Sequence, residues 1–510
     1  MENLIKSQRS RAMQLMLAIG LASLVIVALL WGLRGVTSAR AAGDTLYVDD
    51  TTGSDVGNNC QAPITPCQSI GHALSQAENG DEIRVAEGTY TETLDVAITV
   101  TLKGGYTISG TDWLPHTGET IIDANGADDS AVSIYPYSVV TIEGFTVQGA
   151  NHTSEAGGGL FVDRATAVVS GTVFRNNTAS GGGGVAVEKW AGWPGSLALI
   201  NSSLLTNTST ENGGGLKGLS WPTITLDSVL VQGNSTQGEG GGLAFNWAII
   251  TNSRIVTNTA GASGGGIWAY YAEIYGSEIV DNEANGVGDI GGGGVSVSNG
   301  GLIIQDSVVS HNRAVGTVNN GPSGIAAYKA KVTIVDTRIS DNRIGNSAVA
   351  VWSSYFTITN SLIVDNDGHG VVGDEVPLTG TLKHVTIADN GGRGTQMTGA
   401  DVRIVNSIAW GNGDLDIACA GNCTITYSDI GATWGTTGTG SISTDPKFVD
   451  AANGDYHLQV GSPCIDKGTT VDAPVADIEG TPRDATPDMG AYEWTGFRVF
   501  LPLVLRSFGP

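Results

Sequence analysis

Basic side chains are scarce in this sequence, which has 25 lysines and arginines against 50 aspartates and glutamates. The formal net charge of −25 argues against nucleic acids and anionic membrane surfaces as partners, because both are bound mainly through cationic side chains. Charged residues of both signs make up only 15% of the chain, and aromatic residues 6%. This balance excludes neither neutral polysaccharides nor cations as ligands.

A long apolar run occurs near the start of the chain, at residues 12–33. It follows three basic residues and precedes Ala39-Arg40-Ala41, a pattern typical of an export signal with a small-residue cleavage site. We predict residues 1–41 as a signal peptide or, if uncut, an N-terminal membrane anchor. The protein is then expected to be secreted or to lie at the surface of a bacterial cell envelope. Contact with the membrane is expected only through this segment, if it is not cleaved.

Glycine and asparagine dominate the middle of the chain. Glycine accounts for 74 of 510 residues, about twice its usual share of roughly 7%. Asparagines recur there at steps of 22 to 30 residues, among segments rich in Val, Ile and Thr. A repeat of this length predicts a β-solenoid. The recurring asparagines are Asn177, Asn207, Asn234, Asn258, Asn282, Asn312, Asn342, Asn366, Asn390 and Asn412.

Further columns within the repeat predict how one coil is built. A second polar column lies six residues before most of these asparagines, and apolar columns flank it, which predicts strand, corner, short strand and corner. A third strand is expected after the glycine run found in six successive coils, as in Gly182-Gly183-Gly184-Val185. Stacked asparagine amides can hydrogen-bond along the axis, so we predict a structural ladder rather than catalytic residues. The second polar column is Asn201, Asn252, Asp306, Asp336, Asn360 and Asn406.

This pattern resembles the right-handed parallel β-helix proteins of the pectate-lyase type. It is also similar to the repeats of the polymorphic outer-membrane proteins, in which Gly-Gly-x-Ile alternates with Phe-x-x-Asn. The matching segments here are Gly182-Gly183-Gly184-Val185 and Phe174-Arg175-Asn176-Asn177. The resemblance covers roughly residues 130–435. It implies an all-β fold, a right-handed parallel β-helix of about eleven coils with N- and C-terminal caps.

The two ends of the solenoid require caps, because an open end exposes apolar core and unpaired strand edges. We predict an N-terminal cap with the first coils at 44–130, including a short helix at 69–77, and the repeats at 131–435. Three sequence blocks at 445–450, 454–466 and 488–493 resemble the bacterial choice-of-anchor domain. That resemblance implies such a domain at 436–495 and a cell-envelope location. The tail at 496–510 has too few apolar residues to span a membrane, and its role stays open.

Five cysteines are compatible with an exported protein. Cys60 and Cys67 bracket a short loop, and Cys419 and Cys423 bracket Ala-Gly-Asn, so two local disulfides are the simplest pairing. Cys464 remains and is expected to be a buried small side chain rather than a reactive thiol.

Candidate catalytic residues are few. Gly368-His369-Gly370 resembles one element of the polygalacturonases, which also need paired aspartates about one coil earlier and an Arg-x-Lys later. Neither partner is evident in this sequence. We therefore favour a protein without catalytic activity. The alternative is a polysaccharide lyase or glycoside hydrolase acting on extracellular polysaccharide, with His369, Asp341, Asp365 and Asp389 as its reactive groups.

The three aspartates Asp341, Asp365 and Asp389 each precede a ladder asparagine in consecutive coils. Like charges stacked at about one strand spacing repel each other, unless a cation bridges them or water screens them. Carboxylate oxygens in a row suit calcium. Solvated acids on an outer face are the alternative, in which case no cofactor is required.

Aromatic residues follow the glycine runs by a few positions: Trp190, Trp221, Trp247, Tyr271 and Trp352, with Trp268 and Tyr270 nearby. An aligned aromatic column on one face could stack against sugar rings. The alternative is a structural ladder that covers the core at a corner. The expected function is a structural, adhesive or glycan-binding one, with an extracellular polysaccharide or a cell-envelope component as partner.

The calcium hypothesis has a direct test. If the aspartate column binds calcium in the folded state, added calcium is expected to raise the melting temperature of the wild-type protein. The shift is expected to shrink in Asp365→Asn. A wild-type melting curve that does not respond to calcium would remove the hypothesis and leave screened surface acids.

Overall fold

The computed structural model describes residues 43–496 apart from 191, 193–194, 287–290, 316–320 and 435–436. The predicted signal or anchor segment at 1–41, and the tail beyond Gly496, lie outside the described residues. No helix in the described part is long and apolar enough to cross a membrane. The chain divides into two compact units, Met1–Glu278 (unit 1) and Ile279–Pro510 (unit 2).

The fold is all-β, a right-handed parallel β-helix, which confirms the predicted fold class. Each strand pairs in parallel with the equivalent strand one coil later, for example Ser196–Ile200 with Thr223–Asp227. One coil contains two consecutive strands of a first sheet, a short strand of a second sheet and, in many coils, a very short strand of a third sheet. In several coils the two strands of the first sheet merge into one long strand, such as Leu243–Thr251.

Unit 1 contains these elements. The first sheet comprises Thr45–Val48, Glu82–Ala86, Leu94–Val96, Val100–Ser109, Val132–Ile134, Val139–Glu143, Leu160–Asp163, Thr166–Ser170, Val185–Glu188, Ser196–Ile200, Leu216–Leu219, Thr223–Asp227, Leu243–Thr251 and Ile267–Tyr275, with Asp112–Leu114 antiparallel to Val100–Ser109. The second sheet comprises Gly88–Tyr90, Thr120–Asp123, Phe145–Gln148, Val173–Arg175, Ser203–Leu205, Leu230–Gln232 and Arg254–Val256. The third sheet comprises Asn151–Ala156, Thr178–Gly181, Thr208–Ser209, Ser235–Thr236 and Thr259–Ala260.

Unit 2 repeats the same arrangement. Its first sheet comprises Val295–Gln305, Ile325–Tyr328, Lys331–Val335, Ser347–Trp352, Tyr355–Thr359, His369–Asp374, Leu378–Lys383, Thr395–Val405, Ile417–Thr426 and Thr433–Trp434. Its second sheet comprises Glu278–Val280, Val308–Ser310, Arg338–Ser340, Leu362–Val364, Thr386–Ala388, Ile408–Trp410 and Asp429–Ile430. Its third sheet comprises Glu283–Ala284 and Arg313–Ala314. An antiparallel pair, Phe448–Asp450 and Asp455–Leu458, flanks the 3-10 helix Ala451–Asn453.

The second polar column of the sequence forms the corner between the first and second sheets. Every member has a positive φ, for example 48° at Asn201 and 54° at Asn360. A short polar side chain tolerates this left-handed conformation better than most others, because it can hydrogen-bond locally. The polar column is therefore a consequence of the corner geometry.

The recurring asparagines form the predicted ladder within each unit. Nearly all of them are fully buried. The side-chain oxygen of each acceptor asparagine also accepts the backbone N–H of the preceding ladder residue, as Asn207 does for Asn177 at 3.1 Å. In unit 1 the Nδ2 to Oδ1 distances are 3.1 Å for Asn177 to Asn207, 3.0 Å for Asn207 to Asn234 and 3.0 Å for Asn234 to Asn258. In unit 2 they are 3.0 Å for Asn282 to Asn312, 3.0 Å for Asn312 to Asn342, 2.9 Å for Asn342 to Asn366, 2.8 Å for Asn366 to Asn390 and 2.9 Å for Asn390 to Asn412.

The glycine runs pack directly against this ladder. Gly182 has a φ of +62°, which turns the chain from the third sheet into the first. A Cβ added at Gly184 would lie 2.9 Å from the Asn207 amide nitrogen and 2.7 Å from the Gly215 carbonyl oxygen. The run is therefore required by close approach between coils as well as by backbone conformation.

The N-terminal cap contains the helix α1, Ile70–Gln76, close to the predicted span. The side chain of Ser69 accepts the backbone N–H of His72, and the carboxylate of Glu92 accepts those of Ile70 and Gly71 at 2.9 and 2.8 Å. These contacts satisfy the first backbone donors of the helix. The buried face of α1, Ile70 and Ala73, packs against the first strands.

The two predicted local disulfides are present, Cys60 to Cys67 and Cys419 to Cys423. Cys464 is buried, and its Sγ donates to Asp429 Oδ2 at 3.1 Å. Burial, reinforced by the nearby Asp429 carboxylate, raises the pKa of the Cys464 thiol, so this cysteine is held in its unreactive protonated form.

Residues 437–495, here called the C-terminal module, pack on the outer face of the second sheet within unit 2. Tyr456, Ala491 and Tyr492 contact Leu362, Val364 and Ala388 in one buried cluster. A second cluster joins Leu458, Cys464 and Met489 of the module to Ile408. Arg483 and Glu493 form a buried ion pair at 2.9 Å. Arg483 also donates a hydrogen bond of 2.9 Å to Asn360 Oδ1, at the corner between the first and second sheets. Its similarity to a choice-of-anchor domain stays a prediction.

The ladder predicts a specific stability effect. Asn366 is 1% exposed, and its amide donates to Ile339 O, Val364 O and Asn390 Oδ1. Replacing it with alanine leaves buried partners unsatisfied, so we expect a loss of about 1 to 3 kcal/mol in the free energy of unfolding. Asn422→Ala is the matched control, since Asn422 is exposed and donates only to Asp401. Equal denaturation midpoints for the two variants would contradict the ladder assignment.

Candidate functional site

A cleft opens on the outer face of the first sheet in unit 1. Its floor includes three outward-facing residues in register across neighbouring coils: Lys217, Ala244 and Trp268. Because Ala244 is small, it leaves a notch between the longer side chains of Lys217 and Trp268. The cleft has a volume of about 240 Å³ and is lined by Asn212, Lys217, Gly218, Leu219, Ser220, Ala244, Phe245, Asn246 and Trp268.

Trp221 stands beside this cleft in an unusual backbone conformation. Ser220 and Trp221 both have positive φ, at 62° and 65°. A bulky residue in this region is an outlier that costs energy, and such strain clusters at functional sites. The backbone N–H of Trp221 donates to Asn246 Oδ1 at 3.1 Å, which helps to hold the turn. The indole remains 55% exposed.

Two further aromatic rings extend this surface. The ring centroid of Trp221 lies 5.6 Å from that of Tyr270, and Tyr270 lies 5.6 Å from Trp268 in an edge-on arrangement. Both distances fall in the range of favourable aromatic pairs. Trp221, Tyr270 and Trp268 therefore form a continuous aromatic surface, here called the aromatic rim, with the cleft next to it.

Two polar side chains of the cleft are engaged by glutamates outside its lining. Lys217 Nζ lies 2.8 Å from Glu211 Oε2, and Asn212 Oδ1 accepts the backbone N–H of Glu239 at 2.8 Å. Burial raises the pKa of Glu239. Among the described residues that line the cleft, Lys217 is the one cation.

The predicted aromatic residues occupy several different places. Trp247 is in register with Tyr271 on the next coil, and both are half-buried. Trp190 is exposed, donates its indole N–H to Glu188 at 2.7 Å and lies under the Arg164 guanidinium at 4.7 Å. Trp352 belongs to unit 2, where it is in register with Tyr328. None of the five predicted residues lines the cleft itself, but Trp221 follows the lining residue Ser220 and is held by the lining residue Asn246.

Sequence reasoning missed the polar residues of the cleft. Asn212, Lys217 and Asn246 line it, and Glu211 pairs with Lys217. A signal was present in the strand Leu216–Leu219, where a lysine occupies an outward position filled by alanine in the two neighbouring coils. Which other side chains meet that lysine depends on the register between coils.

The acidic column has a structural explanation. Asp341, Asp365 and Asp389 all have positive φ, between 52° and 57°, and form the corner directly after the second-sheet strands, which in other coils leads to the third sheet. In other coils the same corner is occupied by Asn176, Thr206, Thr257, Asp281 and His311, also with positive φ. A position that accepts such different side chains is selected for backbone conformation.

Two of these aspartates contact the C-terminal module. The hydroxyl of Tyr456 lies 3.0 Å from Asp365 Oδ2 and 3.0 Å from Asp389 Oδ2, so it donates to this carboxylate pair. Burial raises the pKa of both aspartates, and the hydrogen bond from Tyr456 opposes that shift. The hydroxyl thus occupies a bridging place that the calcium hypothesis gives to a cation. Calcium binding stays a prediction.

Metal-binding geometry elsewhere is also limited. Across the described part of the chain, the side chains close enough to share an ion as a group of three are Cys60, Cys67 and His72. The two cysteines of that group are joined in a disulfide, so their sulfurs are not thiolate ligands.

His369 is held apart from the aspartates. Its Nδ1 accepts the backbone N–H of Arg393 at 2.7 Å. Burial, with a smaller contribution from the Arg393 charge, lowers the pKa of His369. No hydrogen bond or ion pair joins His369 to Asp341, Asp365 or Asp389 in the part of the chain that the structure describes. The residues of the catalytic alternative therefore do not form one connected group.

Two family models match parts of the sequence. The model described as a right handed beta helix region matches residues 274–430. A second, described as a protein of unknown function (DUF1565), matches residues 51–225. No curated protein sequence gives a significant match.

Several solved structures are similar at low identity. A pectate lyase, Pel9A, is 15% identical, with 90% of this chain and 98% of that chain covered and a TM-score of 0.35. XylC in complex with xylose is 12% identical, with coverages of 88% and 98% and a TM-score of 0.37. A rhamnogalacturonan lyase is 12% identical, with coverages of 84% and 97% and a TM-score of 0.23.

The Tyr456 contact predicts a pH-dependent stability effect. Since the pKa values of Asp365 and Asp389 are raised, their stabilising contribution is full below the unfolded pKa of about 4 and is lost as pH rises through the folded values. Tyr456→Phe removes the donor to the ionised pair. We expect it to lower the free energy of unfolding by about 1 to 3 kcal/mol at pH 8, and by less at pH 4, because the raised pKa values favour protonation of the two carboxyls at low pH.

The control for this variant is Tyr492→Phe, which removes a hydroxyl from the same buried cluster. Urea denaturation of both variants at pH 4 and pH 8 provides the measurement. A Tyr456→Phe effect that is the same at both pH values would rule out the coupling to the two aspartates.

Proposed function

We propose that this protein binds glycans without catalysing their cleavage, through the cleft and aromatic rim of unit 1. The observation that carries the proposal is Trp221, a large apolar side chain held half in solvent by a strained turn and by the side chain of Asn246. A buried tryptophan would contribute to the core. An exposed one, fixed in position, is suited to contact a ligand.

The chemistry of the rim and cleft matches a sugar ring. The apolar face of a pyranose can stack on an aromatic ring, while its hydroxyl groups need nearby hydrogen-bonding partners. Trp221, Tyr270 and Trp268 supply the aromatic surface, and Asn212 and Asn246 supply side-chain amides. A mainly apolar site with a few polar groups is the usual composition of a ligand pocket.

The size of the cleft supports an open mode of binding. At about 240 Å³ it is smaller than the roughly 300 to 1,000 Å³ of pockets that enclose a drug-sized ligand. It therefore suits one sugar unit of a longer chain, with the remainder of that chain lying along the face. This is the arrangement expected of a polymer-binding surface.

The proposed setting is outside the cell. The basic and apolar character of residues 1–41 is typical of an export signal, and two disulfides are expected to persist in an oxidising compartment. The proposed partner is thus an extracellular polysaccharide or another glycan of the cell envelope. A structural or adhesive role at the surface is compatible with such binding.

The binding proposal is tested with two tryptophan variants. The assay is retention in native gels cast with a polysaccharide that retains the wild type. We expect Trp221→Ala and Trp268→Ala each to weaken this retention by about tenfold, which corresponds to about 1.4 kcal/mol of lost stacking and contact area. Tyr355→Ala is the control, because Tyr355 is 57% exposed but lies in unit 2. Circular dichroism would verify that all three variants keep the fold.

Two outcomes would overturn the proposal. One is equal retention of all three variants on every polysaccharide that retains the wild type. The other is release of reducing ends or unsaturated uronate by the purified protein, abolished in His369→Ala. That second result would establish the catalytic alternative.

A further inference from the structure

We infer that the cleft of unit 1 selects neutral sugar chains and rejects polyuronates, and that the ion pair between Glu211 and Lys217 sets this preference. The inference rests on the proposed glycan binding and specifies the class of glycan. It follows from three features of the cleft: the engagement of its cation, the charge of its surroundings and the fixed orientation of Lys217.

The cation of the cleft already has a carboxylate partner. Lys217 Nζ lies 2.8 Å from Glu211 Oε2, and the lysine side chain is only 13% exposed while that of Glu211 is 62% exposed. A uronate carboxylate that approached Lys217 would have to displace Glu211 or lie beside it. Two carboxylates on one ammonium leave a net negative charge, which is unfavourable in a partly desolvated site.

The orientation of Lys217 is fixed by packing. A Cβ added at Gly181 would lie 2.4 Å from Lys217 Cδ and 2.6 Å from its Nζ. The lysine stem therefore lies flat against the backbone of the preceding coil. This packing directs the ammonium group towards Glu211, so it does not reorient without losing contact area.

The surroundings are acidic as well. Glu188 is in register with Leu219, which lines the cleft, and is thus about one strand spacing of roughly 4.8 Å away along the sheet. Glu239 adjoins Asn212 through its backbone hydrogen bond. One strand spacing is shorter than the Debye length of about 8 Å at physiological salt, so acidic groups on neighbouring coils are incompletely screened and would repel an anionic sugar chain.

Arg164 shows the same engagement on this face of unit 1. Its guanidinium forms two hydrogen bonds of 2.6 Å with Asp163 and lies over the ring of Trp190. A clamp for uronates requires cationic side chains directed at the ligand. Here a carboxylate of the protein itself occupies that position.

A neutral chain meets none of these obstacles. Its hydroxyl groups can donate to the exposed carboxylate of Glu211, and its ring faces can contact Trp221 and Trp268. Hydrogen bonds from a hydroxyl to an ionised acceptor are stronger than those between neutral groups. Glu211 then acts as a specificity-determining residue that both repels anionic sugars and accepts hydrogen bonds from neutral ones.

The test compares neutral and anionic polysaccharides with the full-length protein. Native gels containing glucomannan, xyloglucan or hydroxyethylcellulose are compared with gels containing polygalacturonate or alginate, at low and physiological salt. We expect retention of the wild type on at least one neutral polymer and none on either polyuronate. Glu211→Gln releases Lys217 and is expected to gain retention on the polyuronates at low salt, at least fivefold above that of the wild type.

A second variant controls for net charge. Glu155→Gln removes one negative charge at an exposed position away from the cleft, and we expect it to behave as the wild type on every gel. If Glu155→Gln gains as much polyuronate retention as Glu211→Gln, the ion pair does not set the preference.

The remaining outcomes separate this inference from the proposed function. Wild-type retention on polygalacturonate or alginate overturns the neutral selectivity and leaves glycan binding intact. Absence of retention on all of the polymers, neutral and anionic, counts against glycan binding itself and so removes the basis of the inference as well.

Discussion

The buried asparagine ladder is the interaction on which the rest of each unit depends. A solenoid corner removes backbone N–H and C=O groups from water, and each needs a partner inside the protein. The ladder asparagines supply these partners, because most of their amides donate to a main-chain carbonyl and to the next amide, as Asn342 does to Val309 O and Asn366 Oδ1. Glycine follows from the same constraint, since a side chain at Gly184 would strike the Asn207 amide.

Corner geometry accounts for a second part of the sequence pattern. At each of the two corners that flank the second sheet, one residue with positive φ turns the chain, and short polar side chains or glycine suit that conformation best. Asp365 and Asn360 are one such pair of corners within a single coil, and both are engaged by the C-terminal module through Tyr456 and Arg483. The C-terminal module thus contacts residues whose identity is set by the backbone conformation of the corners. The acidic column is consequently weak evidence for a ligand.

The proposed binding surface arises where the repeat is interrupted. Elsewhere, outward positions near the start of the first-sheet strands are often small, as at Ala186 and Ala326. Lysine and tryptophan at this position, on either side of Ala244, create the cleft, and a strained turn presents Trp221 next to it. In this proposal the regular part of each coil holds the sheet in place, and the side chains that depart from the repeat contact the ligand. Function is therefore expected to differ among proteins that share this architecture.

The sequence by itself determined the coil architecture, the ladder and the two local disulfides, because stacking repeats one set of local requirements in every coil and so makes them visible as columns. Tertiary structure alone decided which outward side chains meet. Trp221 contacts Tyr270, and Tyr456 reaches Asp365 across 91 residues. The fully apolar short strand Leu362–Val364 hinted that its outer face is covered, but not by which segment. Coil length varies from 22 to 30 residues, so alignment across coils depends on register and packing, which no local pattern encodes.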